Sequence, residues 1–249
     1  MQIDESSLSR LVLPDIHLRL VEPGIYSVFP NDEVGNSYDN NFGTFYDLVA
    51  CHPLYNRIVW GYSINRFNSI TEQALTSSKD GFVLDLGCGS LAFTAETYAK
   101  YSERPVVLLD QSLKLLKMAK SRMIKLHGHV PRNMVFLHAD ALNLPFAART
   151  FNTSISFNLL HVLDDLRGIL NGIKSVSAVD GHMYFTTLVL GNRLADKYLK
   201  IWENAGELVS RSVGQLHDIF AELSMPMTHE IRGNMAFIRC GTNPRETDI

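Results

Sequence analysis

The stretch Gly81-Phe82-Val83-Leu84-Asp85-Leu86-Gly87-Cys88-Gly89-Ser90 constrains this chain more than any other. An apolar run ends near an acidic residue and then breaks into two glycines one residue apart. That pattern predicts a buried strand leaving a parallel sheet and turning sharply into a helix. Glycines at 87 and 89 permit positive φ and let a ligand approach the main chain without meeting a Cβ. The N–H groups at the start of the following helix would face that ligand, so the turn reads as a nucleotide-type site.

From Phe82 onward, strands and helices alternate. Strands are predicted at Phe82–Leu86, Pro105–Asp110, Met134–His138, Phe151–Phe157 and His182–Val189, with helices over Leu91–Tyr101, Leu113–Leu126 and Leu163–Val176. Such alternation implies a doubly wound α/β fold with helices on both faces and ligands at the carboxyl ends of the strands. Lys114, Lys117, Lys120, Arg122 and Lys125 on the second helix read as a solvated face. Beyond strand five, Leu194–Leu208 and Val213–Leu223 read as helices. Met227–Ile231 and Met235–Cys240 read as an antiparallel pair closed at Gly233-Asn234. The expected architecture is a mostly parallel, Rossmann-like sheet of seven strands with that antiparallel pair at its end.

The first 76 residues stand outside this pattern. Residues 1–43 read as an extension in which Ile16–Phe29 forms a hairpin around Glu22-Pro23-Gly24, covering either the domain or a partner subunit in a homodimer. Residues 44–76 read as an aromatic-rich helical lid interrupted at Pro53, and residues 77–249 as the main domain. Net charge is −3, which supplies no global basic field for nucleic acid or anionic lipid. The three cysteines are far apart and form no C-x-x-C pair, so reduced thiols in a cytoplasmic setting fit better than a disulfide framework or a zinc site. No apolar run approaches the ~18 residues of a membrane span.

Asp110, at the end of the second strand, follows Asp85 by 25 residues. An acidic residue about 20 residues beyond a glycine-rich turn suits a ribose diol. The turn is not G-x-G-x-x-G, because Ala92 stands at the third glycine's place. A carboxylate before the glycines would also repel a pyrophosphate while suiting an ammonium or sulfonium.

Val83-Leu84-Asp85-Leu86-Gly87-Cys88-Gly89 resembles the first motif of class I S-adenosylmethionine-dependent methyltransferases, in their small-molecule branch. Leu109-Asp110-Gln111-Ser112 is similar to their second motif. His138-Ala139-Asp140-Ala141 with Leu144-Pro145-Phe146 resembles their adenine segment, and Ser156-Phe157-Asn158-Leu159-Leu160-His161 the exit of strand four. The resemblance implies S-adenosylmethionine as cofactor and a small-molecule acceptor. Asp85, Leu86, Gly87, Cys88 and Gly89 would line its methionine part, and Asp110 would accept from the ribose with Gln111 beside the adenine. Asp140 and the Ala141 N–H would read the adenine edge, and Asn158 and Leu159 would flank the sulfonium. Tyr46, in Phe45-Tyr46-Asp47-Leu48, would be a lid residue touching the cofactor, and His161 the best-placed general base.

Two residues depart from the pattern. Leu91 stands where the family usually has glycine, so either the helix opens with ordinary φ or the cofactor loop is altered. Asn152 replaces a frequent aspartate. No Asn/Asp-Pro-Pro-aromatic sequence follows strand four, which weighs against amino groups on nucleic-acid bases. Two other readings stay open: a nicotinamide or flavin oxidoreductase, and a non-catalytic protein that keeps the fold.

Overall fold

A computed structural model describes residues 3, 5–31, 53–77, 80–101, 103–191 and 194–241. Among these, nine strands form one sheet: β1 (Arg19–Glu22), β2 (Ile25–Ser27), β3 (Phe82–Leu86), β4 (Val106–Asp110), β5 (Met134–His138), β6 (Phe151–Phe157), β7 (Ser177–Leu188), β8 (Met227–Arg232) and β9 (Met235–Gly241). Their order is β1-β2-β5-β4-β3-β6-β7-β9-β8. Pairing is parallel from β2 through β7, whereas β1 on β2, β9 on β7 and β8 on β9 are antiparallel. The helices are α1 (Glu5–Ser9), α2 (Asn65–Thr76), α3 (Ala95–Tyr101), α4 (Leu113–His127), α5 (Leu166–Val176), α6 (Asp196–Asn204) and α7 (Val213–Glu222). A helical turn at Pro53–Tyr55 runs into a π-helical segment, Asn56–Trp60, which Gly61 ends in a left-handed conformation.

The expected count of seven strands is therefore corrected to nine among the described residues. The two added strands are the N-terminal hairpin, which is part of the sheet and not a cover on it. Without β2, the parallel strand β5 would be an edge exposing a row of backbone polar groups. Ile25, Tyr26 and Ser27 pair with Phe136, Leu137 and His138, and Ile25 is fully buried. The homodimer expectation was tied to this hairpin, whose inner strand is used within the chain.

The sheet order places β3 centrally, with β4 on one side and β6 on the other. The chain reverses its winding direction there, which opens a crevice at the strands' carboxyl ends. Buried apolar side chains form two layers. One centres on Leu84, Leu109, Phe151, Ile169 and Phe220, and the other on Phe67, Val83, Tyr98, Leu108 and Phe136. Strand residues alternate between the layers, as Val83 and Leu84 do, because successive side chains leave opposite sheet faces. Ser112 caps α4 by accepting the Leu115 N–H at 3.2 Å, so that helix starts directly behind the end of β4.

Candidate active site

The loop leaving β3 is fixed to the end of β4 by three backbone donors, and Asp110 also holds the start of the next helix. The Gly87 and Cys88 N–H groups donate to the Leu109 carbonyl at 2.8 and 3.0 Å. The Asp110 carboxylate accepts the Gly89 N–H on Oδ2 and the Ser112 N–H on Oδ1, both at 2.8 Å. Gly87 and Gly89 have φ of 69° and 55°. A Cβ at Gly87 would lie 3.0 Å from Leu159 Cδ2, whereas one at Gly89 would meet no protein atom within 4 Å. The first glycine is required by close packing, the second leaves its surroundings open. From α4, the Arg122 guanidinium donates to both the carbonyl and the hydroxyl of Ser90. A residue read as part of a solvated face therefore holds the loop.

Leu91 has φ of 58° and is 1% exposed. Its N–H donates to Cys88 at 3.2 Å, and its carbonyl accepts from Ala95 at 3.1 Å. Neither expected alternative applies, because the backbone takes the left-handed conformation that glycine would take. That conformation costs a leucine about 1–2 kcal/mol. Burying its side chain in the Phe67–Tyr98 layer, worth about 1.5–3 kcal/mol, offsets the strain.

The loop borders a cavity of about 470 Å³, a size within the usual range for small-ligand sites. Of the residues expected from the sequence, Asp85, Gly87, Cys88, Gly89, Asp110, Gln111, Asp140, Ala141, Asn158 and Leu159 all line it. Asp140 anchors its own turn, accepting the Leu142 N–H at 2.9 Å and the Asn143 side-chain amide at 2.7 Å. Asn158 has φ of 57°, tolerable for asparagine, and its N–H donates to the Thr186 carbonyl at 3.0 Å. Leu86 is fully buried in the core and is not on the wall, because its strand position points it into the opposite layer. Tyr46 lies outside the described residues.

His161 is not on the cavity wall either. It is 6% exposed, and its Nδ1 accepts the Leu188 N–H at 3.3 Å. Burial, reinforced by the positive Arg211 nearby, lowers its pKa to about 4. The Arg211 guanidinium gathers the carbonyls of Leu160, Leu163 and Asp164 at 2.9–3.2 Å, so the segment after β6 is clamped with His161 turned inward.

Asp85, on the cavity wall, is 2% exposed, and Oδ2 accepts the Tyr98 hydroxyl at 2.8 Å. Burial raises its pKa to about 7; the Tyr98 hydrogen bond opposes that shift and the Asp110 charge adds to it. Burial, followed by Asp110 and Asp85, pushes the Cys88 thiol well up, so it stays protonated. The lining also includes residues that no motif flagged, among them Phe93, Val162, Leu163 and Glu207. Phe67, from the helix read as a lid, stacks on Phe93 at 4.8 Å and meets Phe157 edge-on at 5.7 Å. Among the described lining residues four are acidic (Asp85, Asp110, Asp140, Glu207) and none is Lys or Arg.

Comparison with known proteins agrees with this arrangement. The methyltransferase domain family matches residues 83–181. That match runs from β3 into β7. The chain is 30% identical over 189 residues to a malonyl-[acyl-carrier protein] O-methyltransferase from a Methylovorus species, covering 75% of this chain and 60% of that protein. In coordinates, the structure of a putative S-adenosyl-L-methionine-dependent methyltransferase from Methanococcus maripaludis superposes with a TM-score of 0.60 at 14% identity, covering 87% of this chain and 99% of that one. Geranyl diphosphate C-methyltransferase from Streptomyces coelicolor, solved with S-adenosyl-L-homocysteine, gives 0.56 at 14% identity over 76% and 80% of the two chains. The fold is that of class I methyltransferases. The chain spans between 36% and 60% of the length of the curated relatives it matches.

Proposed function

We propose that this chain is an S-adenosylmethionine-dependent methyltransferase acting on a small-molecule acceptor, in a cytoplasmic setting that its free thiols suit. The observation that carries this reading is the charge of the cavity, with four carboxylates and no cationic side chain among its described lining residues. A dinucleotide's pyrophosphate would be repelled there, whereas a ligand bearing an ammonium or sulfonium is favoured. The oxidoreductase alternative is accordingly disfavoured. A carboxylate offers about four lone-pair sites on two oxygens, and Asp110, on the cavity wall, suits a ribose hydroxyl. Asp140 and Ala141 stand where the adenine edge would be read, and the open approach over Gly89 admits the amino-acid part.

The cofactor, when bound, supplies a methyl carbon on an already activated leaving group. The chain's own contribution is then alignment and exclusion of water. Phe67, Phe93, Phe157, Leu159, Val162 and Leu163 give the remaining wall an apolar character suited to that task. His161 does not serve as general base in this reading: it is off the wall, and a group with a pKa of about 4 is a weak base at neutral pH. The acceptor's attacking atom therefore arrives without help from that histidine.

Titration calorimetry with S-adenosylhomocysteine and with NADH tests the reading. S-adenosylhomocysteine should bind with one site per chain and NADH should not; binding of NADH alone would overturn it.

A further inference from the structure

The Asp85 carboxylate receives a single hydrogen bond from the described residues, the Tyr98 hydroxyl on Oδ2. Tyr98 sits one turn into α3, directly behind the glycine loop, with 1% of its surface exposed. A phenol in that position has one proton to give, and its geometry commits one carboxylate oxygen while leaving Oδ1 for a ligand. The groups facing Asp85 are Tyr98 from α3, Cys88 from the loop and Asp110 from the end of β4. Of these, only the Tyr98 hydroxyl favours the ionised form, since Cys88 is a neutral thiol and Asp110 a like charge.

We infer that Tyr98 is a positioning residue for cofactor binding: its hydroxyl orients Asp85 and holds it ionised to receive the cofactor's ammonium, which makes uptake dependent on pH. The inference rests on the methyltransferase reading for the identity of the ligand, and on the Tyr98–Asp85 contact for the rest. The direction follows from burial. With Asp85 titrating near 7, acidification protonates it and the cationic ligand loses its counter-charge. A hydrogen bond to an ionised group moves a carboxyl midpoint by about one to two pH units, so Tyr98→Phe should raise the midpoint by that amount. The ionised fraction then predicts S-adenosylhomocysteine affinity lower by about 5-fold to 50-fold at pH 7, the deficit shrinking to about twofold or less at pH 9.

Two measurements test this, and a purely structural role for Tyr98 would move neither in the same way. Carbon-detected NMR titration of the cofactor-free protein, with Asp85 assigned through Asp85→Asn, should show a midpoint near 7 in wild type and a higher one in Tyr98→Phe. Calorimetry from pH 6 to 9 should show the affinity ratio of the two proteins falling with pH; taking the ratio cancels titration of the ligand's own amine. An unmoved midpoint, or an affinity loss equal at all pH values, overturns the inference even if wild type binds S-adenosylhomocysteine well. Absence of binding by wild type would instead overturn the methyltransferase reading, and with it the assignment of an ammonium to Asp85.

Discussion

Leu91 offers a clean test of the loop geometry, because the structure inverts the usual order of two substitutions there. At ordinary φ an alanine is more stable than a glycine by about 0.5–1 kcal/mol, since glycine has more chain entropy to lose. At φ of 58° an L-residue carries about 1–2 kcal/mol of strain that glycine escapes. Both Leu91→Ala and Leu91→Gly remove a side chain that is 1% exposed, at a cost of about 2–5 kcal/mol. That common loss cancels when the two variants are compared. The remainder is about 1–2 kcal/mol in glycine's favour less about 0.5–1 kcal/mol against it, so Leu91→Gly should be the more stable by up to about 1.5 kcal/mol. For a chain of this size that is up to about 3–6 °C in midpoint, readable by urea or thermal unfolding followed by circular dichroism. Both variants should be less stable than wild type. If Leu91→Ala proves more stable than Leu91→Gly, residue 91 is not left-handed and the account of the loop is wrong.

At Gly87, valine would combine φ of 69° with a Cβ 3.0 Å from Leu159 Cδ2. Gly87→Val should abolish S-adenosylhomocysteine binding by calorimetry while the far-ultraviolet dichroism stays that of wild type; retained affinity would exclude this turn as the site. Asp110→Asn leaves one acceptor oxygen for two backbone donors, so either Gly89 or Ser112 loses its partner. Affinity should fall about tenfold or more, and the Asp85 midpoint should move below 7 because a like charge has been removed.

The fold was legible wherever period and punctuation agreed. Phe82–Leu86 and Met134–His138 are largely apolar runs bounded by turn residues, and both strands, like Phe151–Phe157, lie where the sequence puts them. The strand expected at His182 starts earlier, at Ser177, because α5 runs into β7 without a loop; the polar Asp180 and Gly181 mimic a turn. The hairpin's alternation was visible, but its parallel partner was not. Ile25 meets Phe136 across 111 residues, and no local pattern encodes that pairing. The site divides in the same way. Asp85, Asp110 and Asp140 sit at strand ends, which fixes where they converge. Tyr98 and Arg122 reach the loop from helix interiors, and their sequence context is that of ordinary helical residues. His161 failed for the converse reason: being one step past the strand-end residues did not reveal that Arg211, 50 residues on, clamps its segment inward.

Two buried groups, Asp85 at about 7 and His161 at about 4, shift in opposite directions and act against each other in stability. Asp85 has its pKa raised above the unfolded value of about 3.9. Its contribution is full below that value and is lost as pH climbs through 7, at about 1.4 kcal/mol per pH unit between the two. His161 has its pKa depressed below the unfolded value of about 6.5. Its contribution is present above 6.5 and is lost as pH falls through 4, with the same slope and the opposite sign. Between about pH 4 and 6.5 the two slopes cancel, so wild-type stability in that window should owe little net pH dependence to this pair. Removing one group exposes the other. His161→Gln should lose stability relative to wild type as pH rises from 4.5 to 6.5, by about 2–3 kcal/mol across the window, and Asp85→Asn should gain relative to wild type over the same range. Urea unfolding of the three proteins at both pH values measures each difference directly. A His161→Gln deficit that is the same at pH 4.5 and 6.5 would mean that His161 titrates normally, which would return it to consideration as a solvent-accessible base.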